Sequence, residues 1–197
     1  MYISEKDMLH AFNQWFKQKN PDCLVGFNSN RFDFPYIFGR FDKHHIEWAS
    51  IWSKLRGVKP YINKRSEGYK GVVSVICPGR VFIDVMMYCK NLAGLKLDEY
   101  SLNSIARHYD IGQKDDILPS KLYSYFYTES AEKREKFFDY CLQDVELTWL
   151  LTLKLAIIEK HRAKCQIVRS RFADALDRGS GYLIGLFLHA ECNNEVL

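Results

Sequence analysis

The sequence predicts an α/β domain, and three observations predict it. Two stretches carry apolar residues at helical spacing: Met8, Leu9, Phe12, Trp15 and Phe16, then Phe137, Phe138, Cys141, Leu142, Val145, Thr148 and Leu151. Between them, Cys23 to Phe27 is a short apolar run bounded by turn residues, too brief for a helix and suited to a buried strand. Further on, two β-branched runs flank Pro78-Gly79 in "GVVSVICPGRVFIDVMMY".

Taken in order, Ser4 is placed to cap a first helix, with Asp7 at its third position and an end near Lys19, before Asn20-Pro21. The strand Cys23 to Phe27 follows, then a helix from about Pro35. Residues 49 to 70 are polar with scattered Gly and Lys, and read as a long loop. Pro78-Gly79 suits a type II turn closing a hairpin between the two β-branched runs. Tyr100 to Tyr109 reads as a short helix capped by Ser101, "DIGQKDDILP" as a loop, and Ala131 to about Lys160 as one long helix. Two more helices follow, broken near Asp177-Arg178-Gly179-Ser180. Only about three strands emerge, fewer than the five or six of an ordinary sheet.

With 197 residues, the chain fits one domain, or one domain plus a connector. Its 47% hydrophobic and 15% aromatic content can fill a core, which argues against disorder. A net charge of +4 permits a nucleic-acid partner without demanding one. None of the six cysteines forms a CxxC pair, so they read as reduced thiols, neither a disulfide frame nor a zinc site. No signal peptide opens the chain, and no apolar run reaches the roughly 20 residues that span a bilayer. The expectation is a soluble intracellular protein with no membrane partner.

Two constellations carry chemistry. Asp33 follows the first strand, where open α/β sheets gather functional groups. By itself it reads more readily as a helix N-cap than as a metal ligand. Tyr140 and Asp144, in "FFDYCLQDVELTWL", are four apart and share one helix face. A Tyr and an Asp on or beside a buried face need partners, whereas at the core edge they need none. Asp84 in "RVFIDVMM" is placed either near a metal cleft or, preferably, as the N-cap of a helix over Met86 to Asn91. Lys114-Asp115-Asp116 reads as a solvated turn, and His44-His45 as a surface pair. Lys64, Arg65 and Lys70 are candidate phosphate contacts in a solvated loop. Phe32, Phe34 and Tyr36 include candidates for base stacking, two of the three being expected in the core.

Read together, "FNSNRFDFPY" and "YCLQD" resemble the second and third exonuclease motifs of family B DNA polymerases, delta-like enzymes of eukaryotes and large DNA viruses above all. "SEKDMLHAF", "PGRVFIDVMMY", "YSLNSIARHY", "KDDI" and "LDRGS" extend the likeness in order along nearly the whole chain. The resemblance implies a ribonuclease-H-like 3′–5′ proofreading domain of the DEDDy type, in which four carboxylates hold two divalent metals, Mg²⁺ or Mn²⁺. It implies that Asp33 supports one metal and Asp144 binds the other. Tyr140 would orient the attacking water, and Asn28 and Phe32 would shape the pocket for the frayed 3′ end. The implied partners are DNA, as a single-stranded 3′ end on a primer-template, and the remainder of a polymerase chain, in a nucleus or at a viral replication site.

One motif departs from that pattern. The family's first motif, Asp-x-Glu on the first strand, does not occur in residues 1 to 22. Glu5 and Asp7 stand in reverse order on the opening helix and do not replace it. The expectation is therefore an exonuclease fold truncated at its N-terminus and lacking its first strands. Residues 1–165 would be the partial exonuclease domain, and 166–197 a helical lead-in to the polymerase palm. Such a chain would be inactive or very weak alone. It would also be marginally stable and prone to aggregate through the open edge of the Cys23 to Phe27 strand. The alternative is a catalytically dead single-stranded-DNA-binding or structural module from a split or decayed gene.

Overall fold

The computed structural model describes residues 4–64, 73–112, 117, 119–128 and 130–194. The chain divides into two compact units, Met1–Thr148 and Trp149–Leu197.

The first unit opens with α1 (Glu5–Lys19). Ser4 caps it as expected, its hydroxyl accepting from the Asp7 N–H at 3.2 Å. The helix ends at Asn20, whose left-handed backbone returns an N–H to the Phe16 carbonyl. β1 (Cys23–Gly26) follows, then α2 (Asp33–Lys43) and the single turn α3 (Ala49–Trp52).

β2 (Tyr61–Lys64), β3 (Val73–Ile76) and β4 (Val81–Asp84) come next. So α3 and β2 interrupt the stretch, residues 49 to 70, whose polarity suggests one long loop, and residues 65 to 70 of it lie outside the described residues. The expected hairpin does not form. The turn itself is present, with Arg80 N–H donating to the Cys77 carbonyl at 3.0 Å and Gly79 at φ +81. Its two arms go to different sheets: β3 pairs antiparallel with β2, and β4 pairs parallel with β1. Arg80 explains the divergence. It is buried, with its guanidinium 4.8 Å from the Phe16 ring centroid. It donates to the carbonyls of Trp52 (2.6 Å), Ile51 (3.3 Å) and Pro21, and to Asn20 Oδ1 (2.9 Å). The chain leaving the turn is thereby pinned beside β1, and Val81 N–H continues the tie by donating to the Asp22 carbonyl.

An aromatic core packs between these elements. Trp52 is 1% exposed, stacked on Phe16 at 4.0 Å between centroids and met edge-on by Phe38 at 5.0 Å. Its indole N–H donates to Asn13 Oδ1, and its carbonyl accepts from the Cys77 thiol. Phe34, Phe41, Leu9, Ile46, Val75 and Phe82 complete the cluster.

α4 (Val85–Lys90), α5 (Leu102–His108) and α6 (Pro119–Phe126) follow, α4 capped by Asp84 and α5 by Ser101. α7 (Ala131–Lys154) stops earlier than its periodicity suggested. Ala156 turns left-handed at φ +49, and α8 (Ile157–Val168) starts afresh.

In the second unit α8 packs against α9 (Phe172–Asp177) and α10 (Ser180–Asn194), separated at Arg178-Gly179 as expected. Leu151, Leu155, Ile157, Ala175 and Leu183 are its buried apolar residues. No helix among the described residues is long and apolar enough to cross a membrane. Arg65, Lys70, Lys114, Asp115 and Asp116 lie outside the described residues, as does the side chain of Lys64.

Candidate active site

The site is built where β1 and β4 end together. Gly26 and Asp84 are the last partners of the parallel ladder. After Gly26 the chain must reverse toward α2, and it does so by placing Asn28 at φ +56, a conformation Asn tolerates better than most residues. The Asn28 carbonyl accepts from Arg31 and Phe32 at 3.2 and 3.3 Å, and the Ser29 carbonyl from Phe34 at 3.1 Å. Ser29 folds directly over the strand end. A Cβ on Gly26 would lie 2.5 Å from both Cβ and Oγ of Ser29, so only glycine fits beneath it.

Asp84 fastens this loop from the neighbouring strand. One carboxylate oxygen accepts from Asn28 N–H at 3.0 Å and Met87 N–H at 3.2 Å, and the other from Asn30 N–H at 3.2 Å. The Met87 bond is the N-cap that the sequence suggested; the two loop bonds had no sequence signal beyond an Asp at a strand end. Burial raises the Asp84 carboxyl above its usual range, and its bonds from backbone N–H groups pull the other way.

Asp33 is the first residue of α2 and not its cap. Phe32 stands at the cap position and makes no side-chain capping bond. The residue is exposed, at the positive end of the helix. Its carboxyl is raised from the ordinary value, first by partial desolvation against the protein and then by the charge of Asp84, with its own backbone N–H opposing. Phe32 and Tyr36 are 66% and 68% exposed beside it, while Phe34 is 9% exposed. One of the three aromatics is therefore core, not two, because Phe32 and Tyr36 are one turn apart on the outer face of α2.

On α7, Tyr140 and Asp144 are half-buried, on the side that continues into buried Leu147 and Thr148. Thr148 Oγ1 donates to the Asp144 carbonyl at 2.7 Å. The expected apolar face is split: Phe137 is half-buried and Thr148 and Leu151 are buried, whereas Phe138, Leu142 and Val145 are 56%, 65% and 66% exposed. The helix thus turns Tyr140 and Asp144 to the same side as buried Leu147 and Thr148, and leaves Phe138, Leu142 and Val145 exposed.

Among the described residues no three His, Cys, Asp or Glu side chains come together as a set able to hold a metal ion. The chemistry of the loop still suits a hard cation. Asn28 Oδ1, Ser29 Oγ and Asn30 Oδ1 are buried oxygens without a hydrogen-bond partner, three to five residues before Asp33. Glu5 is engaged elsewhere. It pairs with Arg40 and with the His44 ring, which holds its carboxyl well down, at about 2, and clips α1 to α2.

A family model described as DNA polymerase family B, exonuclease domain, matches residues 1–105. Over 196 residues the chain is 26% identical to the DNA polymerase delta catalytic subunit of Candida albicans, covering 97% of this chain and 19% of that protein. It is 28% identical over 169 residues to DNA polymerase 120R of Invertebrate iridescent virus 3, covering 79% and 15%. It is 31% identical over 150 residues to the DNA polymerase catalytic subunit of Rat cytomegalovirus (strain Maastricht), covering 73% and 12%. The chain therefore spans less than a fifth of the length of these relatives.

Proposed function

Since the chain belongs to the exonuclease-domain family of family B DNA polymerases, we propose that it is the 3′–5′ proofreading part of a DNA-directed DNA polymerase. Its mixed α/β structure is consistent with that domain, and we read it as ribonuclease-H-like. Residues 1–165 would form the exonuclease part, and 166–197 would lead toward the polymerase palm. The substrate is the single-stranded 3′ end of a primer, inside the cell where DNA is copied, in a nucleus or at a viral replication site.

Exonuclease domains of this family generally use divalent metal ions. Asp33 and Asp144 would hold Mg²⁺ or Mn²⁺, whose charge activates a water and stabilises the leaving 3′ oxygen. The residues present fit half of such a site, two hard carboxylates of four. The remaining work falls to the protein's own groups. The Tyr140 hydroxyl orients the water. Asn28 and Phe32 bound the pocket for the terminal nucleotide, with Phe32 exposed for contact with a base. Asp84 keeps the loop from drifting.

The observation that best supports this reading is the fastening of the Asn28–Asp33 loop at the carboxyl end of β1, together with Tyr140 and Asp144 sharing the α7 side of buried Leu147 and Thr148. Residues 1 to 22 contain no Asp-x-Glu, so hydrolysis by these 197 residues alone should be absent or weak. Incubating a 3′-labelled single-stranded oligonucleotide with the chain in Mg²⁺ or Mn²⁺, with Asp144→Ala as control, tests this. Single-strand binding in preference to duplex, with no cleavage beyond the control, is expected. Equal binding to both forms would contradict the substrate assignment. Asp144-dependent cleavage would mean that another carboxylate, Asp84 among them, completes the site.

A further inference from the structure

The pocket for the 3′ end takes only the first residue of a row along the outer face of α2. Phe32 and Tyr36 are 66% and 68% exposed and lie one turn apart. Gly39 and Lys43 continue the row, three and seven residues beyond Tyr36, and both are exposed. The buried residues Phe34, Phe38 and Phe41 hold the opposite side. Nothing within the chain requires glycine at position 39. Its backbone is not left-handed, a Cβ there would meet nothing within 4 Å, and glycine weakens a helix interior. A glycine in that setting keeps the surface low, so that a ligand can lie close against the helix.

We propose that this row is a track for single-stranded DNA: Phe32 receives the terminal base, Tyr36 the base before it, and Lys43 a phosphate further along. This rests on the assignment of Phe32 and Asp33 to the 3′ end. The strand then has its 3′ end at the start of α2 and its 5′ side toward Lys43. Four residues of helix set the two rings about 6 Å apart along the axis. Stacked neighbours on a duplex strand are only ~3.4 Å apart. Each ring therefore takes one base of an opened, unpaired strand. The Arg40 guanidinium lies over Tyr36, 6.0 Å from the ring centroid, and is itself anchored on Glu5, so the ring is backed on one face and open on the other. The charges along the row suit a phosphate backbone. Lys43 lies on it, whereas Asp42 is turned off it and accepts from the Trp48 indole N–H at 2.8 Å. Asp33 stands at the end of the row where a bound cation would offset its charge.

Binding of a short oligothymidylate to the full chain, without divalent metal, tests this. The oligonucleotide carries one 2-aminopurine, whose fluorescence falls when it stacks on a ring. Tyr36→Ala should weaken binding about tenfold and restore the fluorescence of 2-aminopurine at the penultimate position, and Tyr36→Phe should behave as the parent. Phe32→Ala should restore it at the terminal position. Gly39→Leu should weaken binding while its thermal melt stays at or above the parent's, since leucine favours the helix and meets no neighbour. Lys43→Gln should reduce the slope of log affinity against log salt by roughly 0.7. Tyr36 is exposed, so its variants should melt as the parent does. If Phe32→Ala weakens binding and Tyr36→Ala does not, the track is overturned while the 3′-end assignment stands, and this face of α2 is left for a protein contact. If Tyr36 quenches 2-aminopurine at the 5′ end instead, or if no single strand binds, the 3′-end assignment and the track both fall.

Discussion

The carboxylate of Asp84 accepts the backbone N–H of Asn28 at 3.0 Å, joining the end of β4 to a loop 56 residues earlier in the chain. With the second bond, from Asn30, it decides where the loop that leads into Asp33 can lie. Replacing Asp84 by Ala removes an N-cap and leaves two loop N–H groups without their acceptor. A loss of about 2–3 kcal/mol is expected in urea unfolding. Amide exchange at Asn28 and Asn30 should quicken by more than the global loss explains. Asp84→Asn should cost less, because one oxygen still accepts.

Gly26 and Ser29 form a second fixed point. Gly26→Ala forces the new methyl group into Ser29, whose Cβ would stand 2.5 Å away. The expected cost is about 1–3 kcal/mol. Ser29→Gly should recover much of it in the double variant, whereas Ser29→Ala should not, since the clash involves Cβ as well as Oγ. Thermal melts of the four proteins decide this.

Arg80 holds the β3–β4 turn apart from a hairpin. A lysine there keeps the charge but cannot fork to the carbonyls of Trp52, Ile51 and Pro21. Arg80→Lys should therefore destabilise the chain by about 2–3 kcal/mol, through hydrogen bonds to a charged donor that are lost in a buried setting. A melting temperature within a degree of the parent would show that the turn is held by something else.

The clip between Glu5 and the Arg40–His44 pair gives a pH dependence with a definite sign. The Glu5 carboxyl is lowered from 4.5 to about 2, by its bond from Arg40 above all. Its folded-state value lies below its unfolded one, so its contribution is complete above pH about 4.5 and fades as pH falls toward about 2. Glu5→Gln should flatten the loss of stability across that window, read by urea unfolding at a series of pH values.

Local signals were the legible ones. Ser4, Ser101 and Asp84 cap the helices they were expected to cap, because capping depends on a few neighbouring residues. The Pro78-Gly79 turn was legible for the same reason, but not the fate of its arms. That depends on Arg80 reaching residues 20 to 52, which no local pattern encodes. On α7, apolar spacing alone pointed to one face running from Phe137 to Leu151, of which Thr148 and Leu151 are buried and Phe137 half-buried, while Phe138, Leu142 and Val145 face outward. Periodicity finds a stripe but not which way it faces. Asp33 was legible as a residue of interest from its place after a strand, yet its position as first helical residue, and the Asp84 clamp beneath its loop, needed the fold.

The most direct test of Asp33 and Asp144 as one site is their coupling. Binding of a single-stranded oligonucleotide to the chain can be followed by fluorescence anisotropy with and without Mn²⁺, for the parent, Asp33→Ala, Asp144→Ala and the double variant. If the two carboxylates share a metal site, Mn²⁺ strengthens binding by the parent, either single change abolishes that gain, and the double variant loses nothing more. Gains that survive each single change, or losses that simply add, would show that Asp33 and Asp144 do not act together.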